Sequence, residues 1–236
     1  MTRGNHDLWP EGSFVAELPD TERAALLAVG DPLQFDDEQI LLAQGDPGDF
    51  LYVLTSGLVK AVVAAESGAQ TTLTILSRGD LVGEFALIDD KPRTATARAV
   101  GPVSALKIRG TAFKQIIGQS LAAQATVTRY VVAKMRDGVE QRAADRVWDA
   151  KERVAQILYK LGKQHAQPGP NGTLRLPITQ GELGDLAGVA VSTAERVLKE
   201  LRNRGAVATR YREITITDLP YLKSIRFPQE KPDNPL

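Results

Sequence analysis

The stretch Gly83-Glu84-Phe85-Ala86-Leu87-Ile88-Asp89-Asp90-Lys91-Pro92-Arg93-Thr94-Ala95-Thr96 concentrates side chains able to hold a small anion. A guanidinium such as that of Arg93 presents a planar fork of donors that fits two phosphate oxygens. Glu84 offers an acceptor for a neighbouring hydroxyl. Gly83 has no Cβ, so backbone there can approach a ligand closely. A short helical turn opening at Glu84 points free amides at the same anion. Without a ligand, Glu84 and Arg93 would simply pair with each other and Gly83 would be an ordinary turn glycine. Both readings stand at this point.

A second cluster suits a polyanion. Thr179-Gln180-Gly181-Glu182 has the pattern of a capping box and opens a short helix with Leu183, Leu186 and Ala187 on one face. Gly188-Val189 breaks it. A further helix is predicted from about 191 to 204, with Ala194, Val197, Leu198 and Leu201 inward. Two short helices joined by a glycine-containing turn make a helix-turn-helix. The second helix begins at Val191 and exposes Ser192, Thr193, Arg196, Lys199 and Arg202. Two β stretches over 206–216 read as a wing, with Arg210-Tyr211-Arg212 at its tip. Thr179, Val191, Ser192, Thr193, Arg196, Lys199, Arg202, Arg210 and Arg212 are therefore the candidate DNA contacts. Arg196 is the expected base reader, since its fork can donate to guanine O6 and N7, worth about 1–3 kcal/mol. Contact with phosphate or with a neighbouring acid is the competing reading.

These residues need elements to place them. From 34 to 108 the chain alternates β-branched and apolar segments (51–54, 58–63, 71–76, 94–100 and 103–108) with turn signals at 45–49, 56–57, 67–68 and 78–80. Short strands at this spacing predict a jelly roll or barrel. From Phe113 to Trp148 no proline intervenes, and one long helix is expected, with Thr128, Val131, Met135, Gly138 and Arg142 forming a seam. A second chain is the favoured partner for that stripe, packing on its own roll the alternative. Asp149-Ala150-Lys151-Glu152 is another capping box, so a new helix and a tight domain boundary are expected there. The fold class is thus α+β: a segment with a short helix (1–28), a β-roll (29–112), a dimerisation helix (113–148), a winged helix-turn-helix (149–227) and a disordered tail (228–236).

Composition narrows the chemistry. The chain has no Cys, which excludes disulfides, thiolate zinc sites, Cys-ligated iron–sulfur clusters and Cys nucleophiles. Its two histidines, His6 and His165, are far apart, so no metal centre and no haem are expected. No nucleophile–base constellation and no phosphate loop with its lysine is present, and no enzyme activity is expected. The start lacks the apolar core of a signal peptide and no apolar run approaches the ~20 residues of a membrane span, so a cytoplasmic location is expected. Net charge is zero, yet about 14 basic residues face 9 acidic ones from Lys151 onward, which favours an anionic partner for that half.

The 83–96 stretch resembles the phosphate-binding cassette of cyclic-nucleotide-binding domains, whose pattern is Gly-Glu, a short apolar turn, then Pro-Arg and a small residue. Residues 29–117 resemble the β-roll, and 152–217 the winged helix-turn-helix, of the cyclic AMP receptor and fumarate–nitrate regulator family. The resemblance implies a homodimeric, cyclic-nucleotide-responsive transcription regulator with double-stranded DNA and RNA polymerase as partners. It implies ligand contacts from Gly83, Glu84, Phe85, Ala86, Arg93, Thr94 and Ala95. In the cyclic AMP receptor a Thr-Ser pair on the dimer helix touches adenine; here Gly138 and Val139 stand in its place and cannot. A hydroxyl after the arginine, here Thr94, goes with cyclic GMP in related kinases and channels, and the base is expected against the helix at Asp137 and Gly138, with Asp137 placed to accept from guanine N1 and N2. The resemblance so read favours cyclic GMP over cyclic AMP. Ser192 stands where many relatives carry a glutamate, Arg196 keeps its place, and Asp149 matches the acidic hinge residue. A same-fold regulator that binds DNA without nucleotide control, and a regulatory subunit of an enzyme, are the other readings.

Overall fold

The computed structural model describes residues 9–64 and 70–226, apart from the side chains of 140–146, 167–168 and 226. The turn expected at 67–68 and the tail expected beyond 227 lie outside the described residues. The chain forms two compact units, Met1–Gly138 and Val139–Leu236.

In the first unit α1 (Phe14–Glu17) and α2 (Asp20–Ala28) precede β1 (Asp31–Phe35), β2 (Ile40–Leu42), β3 (Phe50–Ala64), β4 (Gln70–Leu76) and β5 (Leu81–Val82). Then come a short α3 (Glu84–Ile88), a long β6 (Thr96–Arg109), α4 (Gly110–Gly118) and α5 (Leu121–Val147), which continues into the second unit. The sheet order is β1-β6-β3-β4, with β2 on β6 and β5 on β3, and its pairings are antiparallel. The segments read separately from the sequence, 51–54 with 58–63 and 94–100 with 103–108, are each one continuous strand. Register shifts around Ser56 and a positive φ of 69° at Gly101 bend β3 and β6 without ending them.

Alternation along β3 divides the core. Leu51 and Val53 join Phe14, Leu18, Leu26, Ile108, Phe113 and Ile117 on the helical side. Tyr52 and Leu54 join Phe35, Leu42, Val59, Val82, Ala99 and Val103 in the other cluster. Successive side chains on a strand point to opposite faces, so this segment must be apolar throughout to fill both. Each such burial contributes about 1.5–3 kcal/mol.

The single helix expected over 113–148 is in fact two. The turn at 119–120 closes α4 with a bond from the Ser120 amide to the Ile117 carbonyl. The Ser120 hydroxyl then accepts from the Ala123 amide, 3.3 Å away, and starts α5. The expected seam is also turned. Ala123 and Thr126 of α5 are buried and Val131 is half-buried, while Leu121, Val132, Met135, Val139 and Val147 are its exposed large apolar residues; the side chain of Arg142 lies outside the described residues. Each residue turns an α-helix by about 100°, and since Met135 belongs to both stripes the exposed one is displaced from the expected one by less than a quarter-turn around the axis.

The second unit contains α6 (Ala150–Gln164), β7 (Gln167–Pro168), β8 (Leu174–Leu176), α7 (Gln180–Leu186), α8 (Val191–Asn203), β9 (Val207–Arg210), β10 (Glu213–Ile216) and α9 (Leu219–Arg226). Its sheet order is β7-β8-β10-β9. Asp149 and Glu152 form the reciprocal capping box at the start of α6, with bonds of 2.9 and 2.8 Å. Val154, Ile157, Leu158 and Leu161 of α6 are buried, as are Leu183 and Leu186 of α7 and Val197, Leu198 and Leu201 of α8.

Candidate ligand pocket and nucleic-acid interface

Gly83 sits at the N-terminal end of α3 with φ 92° and ψ 12°, a left-handed conformation that costs glycine little. A Cβ there would stand 2.6 Å from Arg93 Nη1 and from Leu42. The glycine therefore makes room for the arginine. Gly48 does the same from the facing loop, where a Cβ would meet Ala86 at 2.4 Å and the Arg93 guanidinium at 3.2 Å.

Arg93 is 4% exposed. Its Nη1 donates to the Gly83 carbonyl at 2.6 Å and its Nη2 to the Phe50 carbonyl at 2.5 Å, and it lies 5.0 Å from the centre of the Phe50 ring. Bonds from the Arg93 amide to the Asp46 carbonyl and from the Gly45 amide to the Arg93 carbonyl pin this backbone to the 45–46 loop. Burial pulls the guanidinium below its ordinary pKa, against the opposing pull of Asp49, Tyr52, Glu84 and Asp46. The side chain stays charged at neutral pH. Its hydrogen bonds go to neutral carbonyls and to no carboxylate among the described residues, so the Glu84–Arg93 bridge weighed from the sequence is not the arrangement found.

Glu84, 3% exposed, is paired instead with Lys134 of α5, whose Nζ donates to Oε1 at 2.6 Å. Lys134 lies 4.5 Å from the Tyr130 ring centre and 5.6 Å from that of Phe85. Burial alone would lower its pKa, but Glu84 and the Tyr130 phenol outweigh that and hold it above the usual lysine value. Tyr130 accepts from the Leu81 amide at 3.1 Å and donates to Asp80, whose carboxyl burial pushes up. Sequence reasoning missed Lys134, Tyr130, Asp80 and Phe50. The i, i+4 spacing of Tyr130 and Lys134 was the available signal, but a helical lysine by itself reads as solvated.

The other expected ligand contacts are spread more widely. Ala86 is buried, Phe85, Ala95 and Gly138 are half-buried, and Thr94 and Asp137 are exposed, the latter three residues beyond Lys134 on α5. A groove of about 690 Å³ lined by Trp9, Leu18, Asp20, Thr126 and Arg129 shares no residue with this cluster. The buried charges, rather than the groove, mark the chemistry.

In the second unit the Thr179 hydroxyl accepts from the Glu182 amide at 3.1 Å, while Glu182 Oε2 accepts from the Thr179 amide at 2.7 Å. Thr179 is thus half-buried and committed to its helix end. The turn between α7 and α8 carries Gly188 at φ 61°, and Arg153 of α6 donates to its carbonyl at 3.2 Å. Along α8, Val191, Ser192, Arg196, Lys199 and Arg202 are exposed and Thr193 is half-buried. Arg196 Nη1 donates to Glu200 at 3.1 Å. Arg202 Nη1 donates to Thr209 of β9 at 2.7 Å, so it braces the wing against the helix. Arg210 faces Glu213 across the hairpin, and the two-residue tip holds Tyr211, 93% exposed, and Arg212 at φ 52°.

Residues 32–120 match the family described as "Cyclic nucleotide-binding domain", and residues 152–225 match "Crp-like helix-turn-helix domain". A CRP-like cAMP-activated global transcriptional regulator of Mycobacterium tuberculosis is 30% identical over 199 residues, 83% of this chain and 88% of that one. A CRP/FNR-family transcriptional regulator of Thermus thermophilus superposes with TM-score 0.68 at 25% identity, covering 83% of this chain and 98% of that one. FixK2 of Bradyrhizobium japonicum shares the fold, with TM-score 0.72 at 18% identity over 84% and 97% of the two chains. The Mycobacterium tuberculosis and Thermus thermophilus relatives are both named as transcriptional regulators. With its cyclic-nucleotide-binding roll and its DNA-binding helix-turn-helix, this chain belongs to the CRP/FNR family of transcription regulators.

Proposed function

We propose that a cyclic mononucleotide held in the first unit controls how the second unit binds DNA, in a cytoplasmic homodimer paired along α5. The observation that carries this reading is Arg93, a buried cation whose hydrogen bonds end on two neutral carbonyls. A buried charge without an ion partner is costly, and an anionic ligand removes that cost. Glu84, Gly83 and the α3 turn complete a site for a phosphate beside a hydroxyl, with Phe85, Ala86 and Ala95 around it. The ribose hydroxyl shares or displaces Lys134 on Glu84. The exposed Val132, Met135 and Val139 support pairing with a second copy, since an apolar stripe on a helix calls for a cover.

On the DNA side, Ser192, Thr193 and Arg196 face base edges from the first turns of α8. Val191, Lys199, Arg210 and Arg212 contact the backbone, Thr179 sits at the start of α7, and Arg202 holds the wing. For the base of the effector, the exposed Thr94 hydroxyl and Asp137 suit guanine and favour cyclic GMP. A second reading, cyclic AMP, is favoured by the name of the Mycobacterium tuberculosis relative.

Calorimetric titration with both nucleotides, repeated on Arg93→Ala, tests this. Losing a charge-assisted contact of about 1.5–3 kcal/mol weakens binding roughly ten- to a hundredfold. Tighter cyclic AMP binding removes the Thr94 assignment and keeps the mechanism. No binding of either nucleotide overturns it.

A further inference from the structure

We infer that Glu200 is a positioning residue for DNA recognition, aiming the Arg196 guanidinium at the base edge; the inference rests on reading Arg196 as a base contact. Glu200 lies one helical turn beyond Arg196 on α8, and its two oxygens have different partners. Oε1 accepts from Arg196 Nη1 at 3.1 Å, and Oε2 is 3.6 Å from Lys151 Nζ in the first turn of α6. An acid contacted from both sides is restrained more than one with a single partner. That restraint passes to the arginine that donates to it, because guanidinium–carboxylate bonds are directional.

The remaining donors of Arg196 stay available. A guanidinium carries five N–H groups, and Glu200 takes one of them, so the pair needed by guanine O6 and N7 is left. Among the described residues Arg196 has no other hydrogen-bond partner, and its side chain is 63% exposed. Without Glu200 this long side chain would sample many rotamers and would have to be ordered on each encounter with DNA. Ordering one rotamer-rich side chain weakens recognition by about three- to tenfold. The acid also lies close to where phosphates run. Its charge opposes any duplex equally, while its hold on Arg196 helps only the duplex with the right base. Lys151 balances that charge at the other carboxylate oxygen.

The test is a binding selection of the full chain, with cyclic AMP and cyclic GMP both supplied, on a pool of randomised DNA duplexes. Sequencing of bound and free fractions gives the preference at each base pair. Arg196→Ala identifies the base pair that Arg196 reads. Glu200→Ala is expected to lower discrimination at that same base pair about three- to tenfold, with random-sequence affinity unchanged or higher. Glu200→Gln, which still accepts from Arg196, falls between, and Lys151→Met shifts the same base pair by a smaller factor. Full discrimination at that base pair in Glu200→Ala overturns the inference and leaves the reading of Arg196 standing. Preferences untouched by Arg196→Ala overturn both. Uniform loss at every base pair with a lower Tm shows mere helix stabilisation, and also overturns it.

Discussion

The pair between Glu84 and Lys134 can be weighed by a double-mutant cycle. The perturbations are Glu84→Gln, Lys134→Met and both together. Opposite charges about 4 Å apart attract by roughly 4 kcal/mol at an effective dielectric near 20, and desolvation offsets much of that. The Glu84 side chain is 4% exposed and that of Lys134 is 23% exposed. At 2.6 Å the contact is a charge-assisted hydrogen bond, a class that nets about 1.5–3 kcal/mol. The lysine's remaining exposure places the expected coupling near ~2 kcal/mol. Lys134→Met should be the costlier single change, since it leaves a buried carboxylate without its cation, and adding Glu84→Gln should recover part of the loss. The chain has two tryptophans, so in a Trp148→Phe background Trp9 reports urea unfolding of the first unit alone. A coupling under about 0.5 kcal/mol would refute the reasoning, because non-interacting sites are additive to that precision.

Two further outcomes follow from the same geometry. Gly48→Ala forces a Cβ against Ala86 and the Arg93 guanidinium, and overpacking of about 1–3 kcal/mol should weaken cyclic-nucleotide binding in calorimetry. Gly118→Ala, which meets nothing within 4 Å, should leave that affinity unchanged. His165, at the end of α6, is held neutral by burial and by Lys160, with its pKa lowered to about 4. The unfolded chain binds the proton first as pH falls, so its contribution is whole above pH ~6.5 and is lost toward pH ~4. That loss amounts to about 2–3 kcal/mol. Urea midpoints for the second unit should drop across that window and flatten in His165→Gln; equal slopes in the two proteins would contradict this.

What the sequence determined by itself is local. The capping boxes at Asp149 and Thr179, the α7–turn–α8 pair, the wing around Arg210-Tyr211-Arg212 and the 83–96 cassette each rest on residues a few positions apart. Their pattern is set by helix and turn geometry wherever the rest of the chain goes. The tertiary structure decided the partners. Lys134 reaches Glu84 across 50 residues of sequence and Arg93 reaches the Phe50 carbonyl across 43. The Lys151 side of Glu200 arises only because α6 packs on α8. The same holds for the continuity of β3 and β6, for the break at 119–120, and for which stripe of α5 stays exposed. Helical period alone leaves the rotation of a helix free, and burial of Ala123 in the helical-side core with the Thr126 hydroxyl donating to the Glu17 carbonyl of α1 fixes it. A charge's partner depends on register and packing between distant segments, and no spacing rule along the chain encodes that.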